Sequence, residues 1–220
     1  MSGSGRDAPA SEAFDPDLVE WRPWRPHEAA RLLAGVEAPW YVAAGWAIDL
    51  FLGVERRKHD DLEIGVPADR FGDFVTALAR FELYVVGPDH AAPPGRDLAT
   101  PVAQAEELLA RYHQTWVLER EPCMWRLDVF REPSDGDCWV CQRDERIRLP
   151  YEQLIERTSD DIPYARPEVV LLFKAKAARA KDNDDLAAVL PNLEPERRRW
   201  LVEALELVHP DHPWLARLVG

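Results

Sequence analysis

The sequence predicts an α+β protein, a mixed sheet flanked by helices and followed by a small helical C-terminal part. Three observations carry that expectation. Short segments rich in β-branched and aromatic residues recur up to about residue 150, several of them alternating apolar and polar positions. Helical spacing of apolar residues interrupts them at 26–36 and again after Pro67. From Tyr151 onward the helical period dominates.

The elements follow in order. MSGSGRDAPASEAFDPD has no basic region leading into an apolar one, so it is not a secretory signal and reads as part of a flexible leader, 1–20. PHEAARLLAGV is a helix with Pro in its first turn. PWYVAA is a short strand, and GWAIDLFLG a short helix closed by Gly53. HDDLEIGV alternates as a strand, after which Pro67 opens a helix, PADRFGDFVTALARF. FELYVVG is a further strand, and the Pro/Gly/Asp-rich stretch from Gly87 to about Pro101 is a loop. HQTWVLE and MWRLDVFRE form a hairpin around Glu121–Pro122, and WVCQRDERIRLP a second one turning at Arg143–Asp144. PEVVLLFKAKAARAKDNDDLAAVL and PERRRWLVEALELV are helical, each starting at a Pro beside a Glu, and HPWLARLVG is a docking turn. The expected organisation is a leader at 1–20, a mixed domain at 21–150 and a helical domain at 151–220.

Composition narrows the function. With 46% hydrophobic and 30% charged residues the chain has a soluble, globular profile, and no apolar run of 18 residues suggests a membrane span. The net charge of −13 repels a phosphate backbone, which disfavours a long nucleic-acid partner and suits a cationic small molecule. The three cysteines, an odd number, read as reduced thiols of a cytoplasmic protein. Cys138 and Cys141 have CxxC spacing but lack a second ligand pair for zinc.

The chemistry concentrates at residues 43–66, AAGWAIDLFLGVERRKHDDLEIGV. Alternation puts Asp61 and Glu63 on one strand face and Leu62, Ile64 and Val66 on the other, while Asp60 points away. Two adjacent carboxylates repel when ionised, and a divalent cation cancels that cost. Gly45 stands where a strand turns into a helix, a geometry that lets backbone N–H groups approach a phosphate. Arg57 and His59 precede the acidic strand and could touch the same polyphosphate. Asp128 is a lone acid on an otherwise apolar strand, free to act as a third carboxylate or to pair with Arg126. Lys174 and Lys181, seven apart on one helix face, could reach a polyphosphate, order Asp182 and Asp185, or belong to a solvated face.

Together these residues resemble the antibiotic nucleotidyltransferases of the DNA polymerase beta-like superfamily. The similarity is greatest to the aminoglycoside 2''-adenylyltransferase and lincosamide nucleotidyltransferase branch, whose pattern runs roughly G-G-W-x-h-D-x-x-h-G-x-x-T-R-x-H-x-D-h-D-h. Gly45, Trp46, Asp49, Gly53, Arg57, His59, Asp61 and Glu63 stand at matching spacing. The chain departs at Ala44, in place of the first glycine, at Glu63, in place of the second Asp, and at Glu55-Arg56, where a Thr is frequent. The resemblance implies a polymerase beta-like fold in which Ala44, Gly45 and Trp46 grip a triphosphate and Asp61, Glu63 and Asp128 bind magnesium, with two ions when nucleotide is present. It implies ATP or another nucleoside triphosphate as donor and a hydroxylated small molecule, such as an aminoglycoside, as acceptor. A toxin-type enzyme modifying tRNA or protein, and a nucleotide-binding module without catalysis, are the alternatives.

Overall fold

The computed structural model describes residues 13–89 and 95–219, and residues 1–12 of the leader expected at 1–20 lie outside them. Chain order begins with α1 (Pro26–Leu32), β1 (Tyr41–Val42) and α2 (Ala44–Leu52). Next come β2 (Glu63–Pro67), α3 (Phe71–Ala77), β3 (Glu82–Pro88), β4 (Asp97–Pro101) and α4 (Glu106–Arg111). β5 (Gln114–Glu119), β6 (Met124–Glu132), β7 (Ser134–Asp135), β8 (Cys138–Val140) and β9 (Arg148–Pro150) follow. The rest is α5 (Tyr151–Leu154), β10 (Ile155–Arg157), β11 (Pro163–Ala165), α6 (Pro167–Lys174), α7 (Ala180–Val189), α8 (Pro195–Val208) and α9 (Trp214–Val219). The chain is α+β, with mixed parallel and antiparallel pairing and a run of C-terminal helices.

Packing separates two units, one of residues 1–39 and 60–132, the other of residues 40–59 and 133–220. In the first unit the strands run β2-β6-β5-β3-β4. β2 and β6 are parallel, and the expected hairpin of β5 and β6 is present around a cis Glu121–Pro122 peptide. One side buries Leu62, Ile64 and Val66 completely, as alternation requires. Elsewhere Phe14, Tyr84, Leu118 and Trp125 form an aromatic-rich core joined by Trp21 and Trp116. Phe14 stacks parallel to Trp125 at 6.0 Å and meets Tyr84 edge-on at 5.1 Å.

Three expectations for this unit need correction. The leader does not extend to residue 20: Phe14 exchanges backbone hydrogen bonds with Ala99 (3.0 and 2.8 Å), and the Trp125 indole donates to the Pro16 carbonyl. Burying Phe14 against the rings of Tyr84 and Trp125 outweighs the entropy of ordering that segment. The stretch from Gly87 to Pro101 is not all loop, because β4 pairs antiparallel with β3. Pro67 does not open a helix; it ends β2 opposite Glu132, and α3 starts only at Phe71 after one 3-10 turn.

In the second unit β1 pairs parallel with β11, β11 antiparallel with β10, and β7-β8-β9 form a small antiparallel sheet containing the second expected hairpin. α2 ends at Gly53, whose φ of 70° is the left-handed cap its sequence position suggested. The helix expected to run on from Pro167 is two, α6 and α7, broken where Ala178 takes a φ of 43°. Asp182 explains the restart: its side chain accepts the Arg179 N–H at 3.0 Å, capping α7. Buried Glu168 pairs with Arg197 (2.8 Å) and Arg166 (2.8 Å), anchoring α6 to α8. All three cysteines are free thiols.

Candidate active site

The acidic group is built by the register of two parallel strands. Glu63 stands opposite Asp128, whose backbone N–H donates to the Leu62 carbonyl at 2.8 Å. Asp61 and Leu62 lie just ahead of β2, and Asp61 and Glu63 are both part-exposed while Leu62 is fully buried. The alternation read from the sequence therefore holds at these positions.

Asp128 is buried at 4% exposure. Its Oδ2 accepts a 2.6 Å hydrogen bond from Gln114 Nε2, whereas Oδ1 has no hydrogen-bond partner among the described residues. Burial pushes its pKa well above the ordinary carboxylate value, and the negative charges of Glu63 and Asp61 push the same way. Gln114 opposes them, as does the Trp116 indole, which lies near the carboxyl without completing a hydrogen bond. Arg126, the alternative partner, turns instead to Glu119 at 3.2 Å. Gln114 was not singled out in the sequence, although it shares the period-two face of Trp116 on β5, opposite β6.

Among the described residues no three His, Cys, Asp or Glu side chains stand as a ready-made metal cage. The chemistry of the group nonetheless suits a divalent cation. A buried carboxylate oxygen without a partner is costly, and two further carboxylates act electrostatically on it. Magnesium needs only one or two protein carboxylates when substrate phosphates complete its shell.

Within the second unit, Trp46, Arg57, His59 and Lys174 belong to a network of stacking and polar contacts that Gly45 packs against. Ala44 starts α2 with a φ of 48°, so the strained position falls on the residue that replaces a glycine. Gly45 is needed for space: a Cβ there would lie 2.4 Å from Arg57 Nη2 and 2.9 Å from the His59 ring. Buried His59 stacks on Trp46 at 4.3 Å and engages both ring nitrogens, Nε2 with Asp49 at 2.7 Å and Nδ1 with Arg57 at 3.3 Å. Because arginine can only donate, Nδ1 is the acceptor and Nε2 carries the proton. Burial lowers the His59 pKa; the Asp49 contact opposes that and the Arg57 charge reinforces it.

Arg56 and Asp49 emerge as the hub of this network. The Arg56 backbone N–H and Nε both donate to Asp49 (3.1 and 3.0 Å), and its Nη2 donates to Asp185. Lys174 is committed to Asp185 (2.9 Å) and Asp182 (3.3 Å), the ordering alternative rather than the polyphosphate one. Lys181, on α7, is exposed. The acid in the middle of an apolar helix, Asp49 beside Ile48 and Ala47, was the available sequence signal for such a network.

Comparison with known proteins bears on this arrangement. The family model described as Aminoglycoside-2''-adenylyltransferase matches residues 27–90, less than a third of the chain. The chain resembles that family. The matched segment carries Gly45, Arg57, His59, Asp61 and Glu63, while Asp128 lies beyond it. Among solved structures, the lincomycin-bound lincosamide antibiotic adenylyltransferase LnuA is 16% identical, over 74% of this chain and 92% of its own, with a TM-score of 0.47. A complex of ANT(2'')-Ia with adenylyl-2''-tobramycin is 14% identical, over 82% and 95%, with a TM-score of 0.49. With TM-scores below 0.5, these likenesses leave the case on the adenylyltransferase family match and on the site. Comparison with curated proteins found no match.

Proposed function

We propose that the chain is a metal-dependent nucleotidyltransferase that moves a nucleoside monophosphate, AMP from ATP, to a hydroxyl of a small molecule. An antibiotic of the aminoglycoside kind is the acceptor class the family match favours. The observation that carries this reading is Asp128, buried with one oxygen unpartnered, in register with Glu63 and within the field of Asp61.

In this reading Asp61, Glu63 and Asp128 hold magnesium, two ions with nucleotide bound. Magnesium, when bound, supplies Lewis-acid stabilisation of charge on the phosphoryl oxygens. The acceptor hydroxyl oxygen forms a bond to the α-phosphorus, the bond from that phosphorus to the bridging oxygen breaks, and pyrophosphate leaves. Asp128 Oδ1 serves as a ligand or as acceptor of the hydroxyl proton, since Gln114 occupies Oδ2. Arg57 contacts the polyphosphate. Ala44, Gly45 and Trp46 shape the start of α2, where backbone N–H groups are available to phosphate.

Asp128→Asn tests the reading. Asn keeps the shape but neither takes a proton nor ligates magnesium well. Labelled ATP, magnesium and a panel of hydroxylated cationic acceptors are incubated, products are identified by mass, and pyrophosphate release is followed in single turnover. The variant is expected to retain its fold and ATP binding while transfer falls by roughly a hundredfold or more. Wild-type turnover by the variant would remove Asp128 from the chemistry. ATP binding by the wild type with no transfer to any acceptor would favour a nucleotide-binding module.

A further inference from the structure

We infer that the acidic pair on α7, fixed by Lys174, is a positioning device for the 54–59 loop and sets the geometry of Arg57 for its ligand. This rests on the reading of Arg57 as a polyphosphate contact.

The network joins four stretches of the second unit: α2 through Asp49, the loop through Arg56 and Arg57, α6 through Lys174, and α7 through Asp182 and Asp185. Asp49, Asp182 and Asp185 are at most 3% exposed. Three buried carboxylates need cations at fixed distances, because removing one partner leaves an uncompensated buried charge. Lys174 bridges Asp182 and Asp185, Arg179 Nε holds Asp182 at 2.9 Å, and Arg56 closes the chain from Asp185 to Asp49. Arg56 is thereby pinned at both ends of its side chain and at its backbone N–H.

Arg57, next along, is held differently. Its Nη2 is 3.8 Å from Asp185, at the limit of an ion pair, its side chain is 30% exposed, and its Nε has no hydrogen-bond partner among the described residues. Asp185 thus steers Arg57 by charge, and the exposed part of the guanidinium, not its buried Nε, is what a ligand can reach. His59 supports it from the other side through Nδ1. Lys174, Asp182 and Asp185 act on the polyphosphate only through Arg56 and Arg57, and α7 tunes triphosphate affinity without touching it.

Calorimetric titration with magnesium-ATP, paired with amide hydrogen exchange across 54–59, tests this on wild type, Arg57→Ala, Arg56→Gln, Asp185→Asn and Asp185→Glu. Arg57→Ala is expected to weaken binding roughly ten- to hundredfold. Arg56→Gln and Asp185→Asn are expected to weaken it about tenfold and to speed exchange of the Arg56 amide, with Asp185→Glu restoring most of both. If Arg57→Ala weakens binding but Arg56→Gln and Asp185→Asn bind and exchange like wild type, the positioning role is overturned and the Arg57 reading survives. If Arg57→Ala binds like wild type, the Arg57 reading fails and takes the positioning role with it. Should Asp185→Asn not fold, Arg56→Gln, at a part-exposed side chain, decides the outcome alone.

Discussion

Ala44 opens α2 at a φ of 48°, where its Cβ is strained against the following carbonyl. Glycine carries no such penalty there, so Ala44→Gly is expected to stabilise the fold by about 1 kcal/mol, read as a higher midpoint in urea unfolding. A lower midpoint would mean that the turn is relaxed around alanine. His59 adds a pH dependence. Its folded pKa lies below its ordinary 6.5, so the native state disfavours the proton that the unfolded chain accepts. The contribution of His59 is complete above about pH 6.5 and is lost as pH falls from there towards the folded pKa. Melting temperature is expected to drop between about pH 7.5 and about pH 5.5, and less so in His59→Gln. Equal drops in both proteins would assign the effect to other groups. At this scale the alternation was readable: Leu62 and Ile64 are fully buried, and Asp61 and Glu63 between and beside them are part-exposed. Gln114 and Arg56 were not readable, because their partners, Asp128 and Asp185, are fixed by strand register and by a helix 129 residues away in the chain.

Among the elements, those with clear apolar spacing or Pro/Gly punctuation were legible, and several of the shortest were not. α1, α2, α8 and the β5–β6 hairpin follow from apolar spacing and Pro/Gly punctuation. β10 and β11 span three residues each, too few for a period to show, and they exist because β11 pairs beside β1. β4 likewise forms because β3 offers it an edge, despite its loop-like composition. The single helix expected across α6 and α7 breaks because Asp182 serves as a cap and as a buried partner of Lys174 at once. The N-terminal segment is the clearest case of tertiary packing overriding composition. Phe14→Ala removes a ring, 8% exposed, from the Tyr84 and Trp125 cluster. It is expected to destabilise the protein by about 3 kcal/mol, measured by chemical denaturation. A loss under about 0.5 kcal/mol, as for ordinary surface changes, would show that the segment is not docked in solution.

For the whole molecule, charge decides how a donor nucleotide can bind. The chain carries a net −13, and the proposed site gathers three of its acids, Asp61, Glu63 and buried Asp128, in one place. A triphosphate brings further negative charge, so binding it at these acids without a cation would set like charges together in a partly buried place. The same acidity suits a cationic acceptor and works against a nucleic-acid one. In the second unit Arg56 and Lys174 are committed to Asp49, Asp182 and Asp185, and Arg57 is the cation that this reading gives to the polyphosphate. The most direct test is therefore a calorimetric titration of the wild-type protein with ATP, once with magnesium and once with EDTA. Binding is expected to be roughly a hundredfold tighter with magnesium, a difference of ~2.7 kcal/mol, and the gain is expected to vanish in Asp61→Asn combined with Glu63→Gln. Equal affinity for ATP in magnesium and in EDTA would contradict the metal-dependent site.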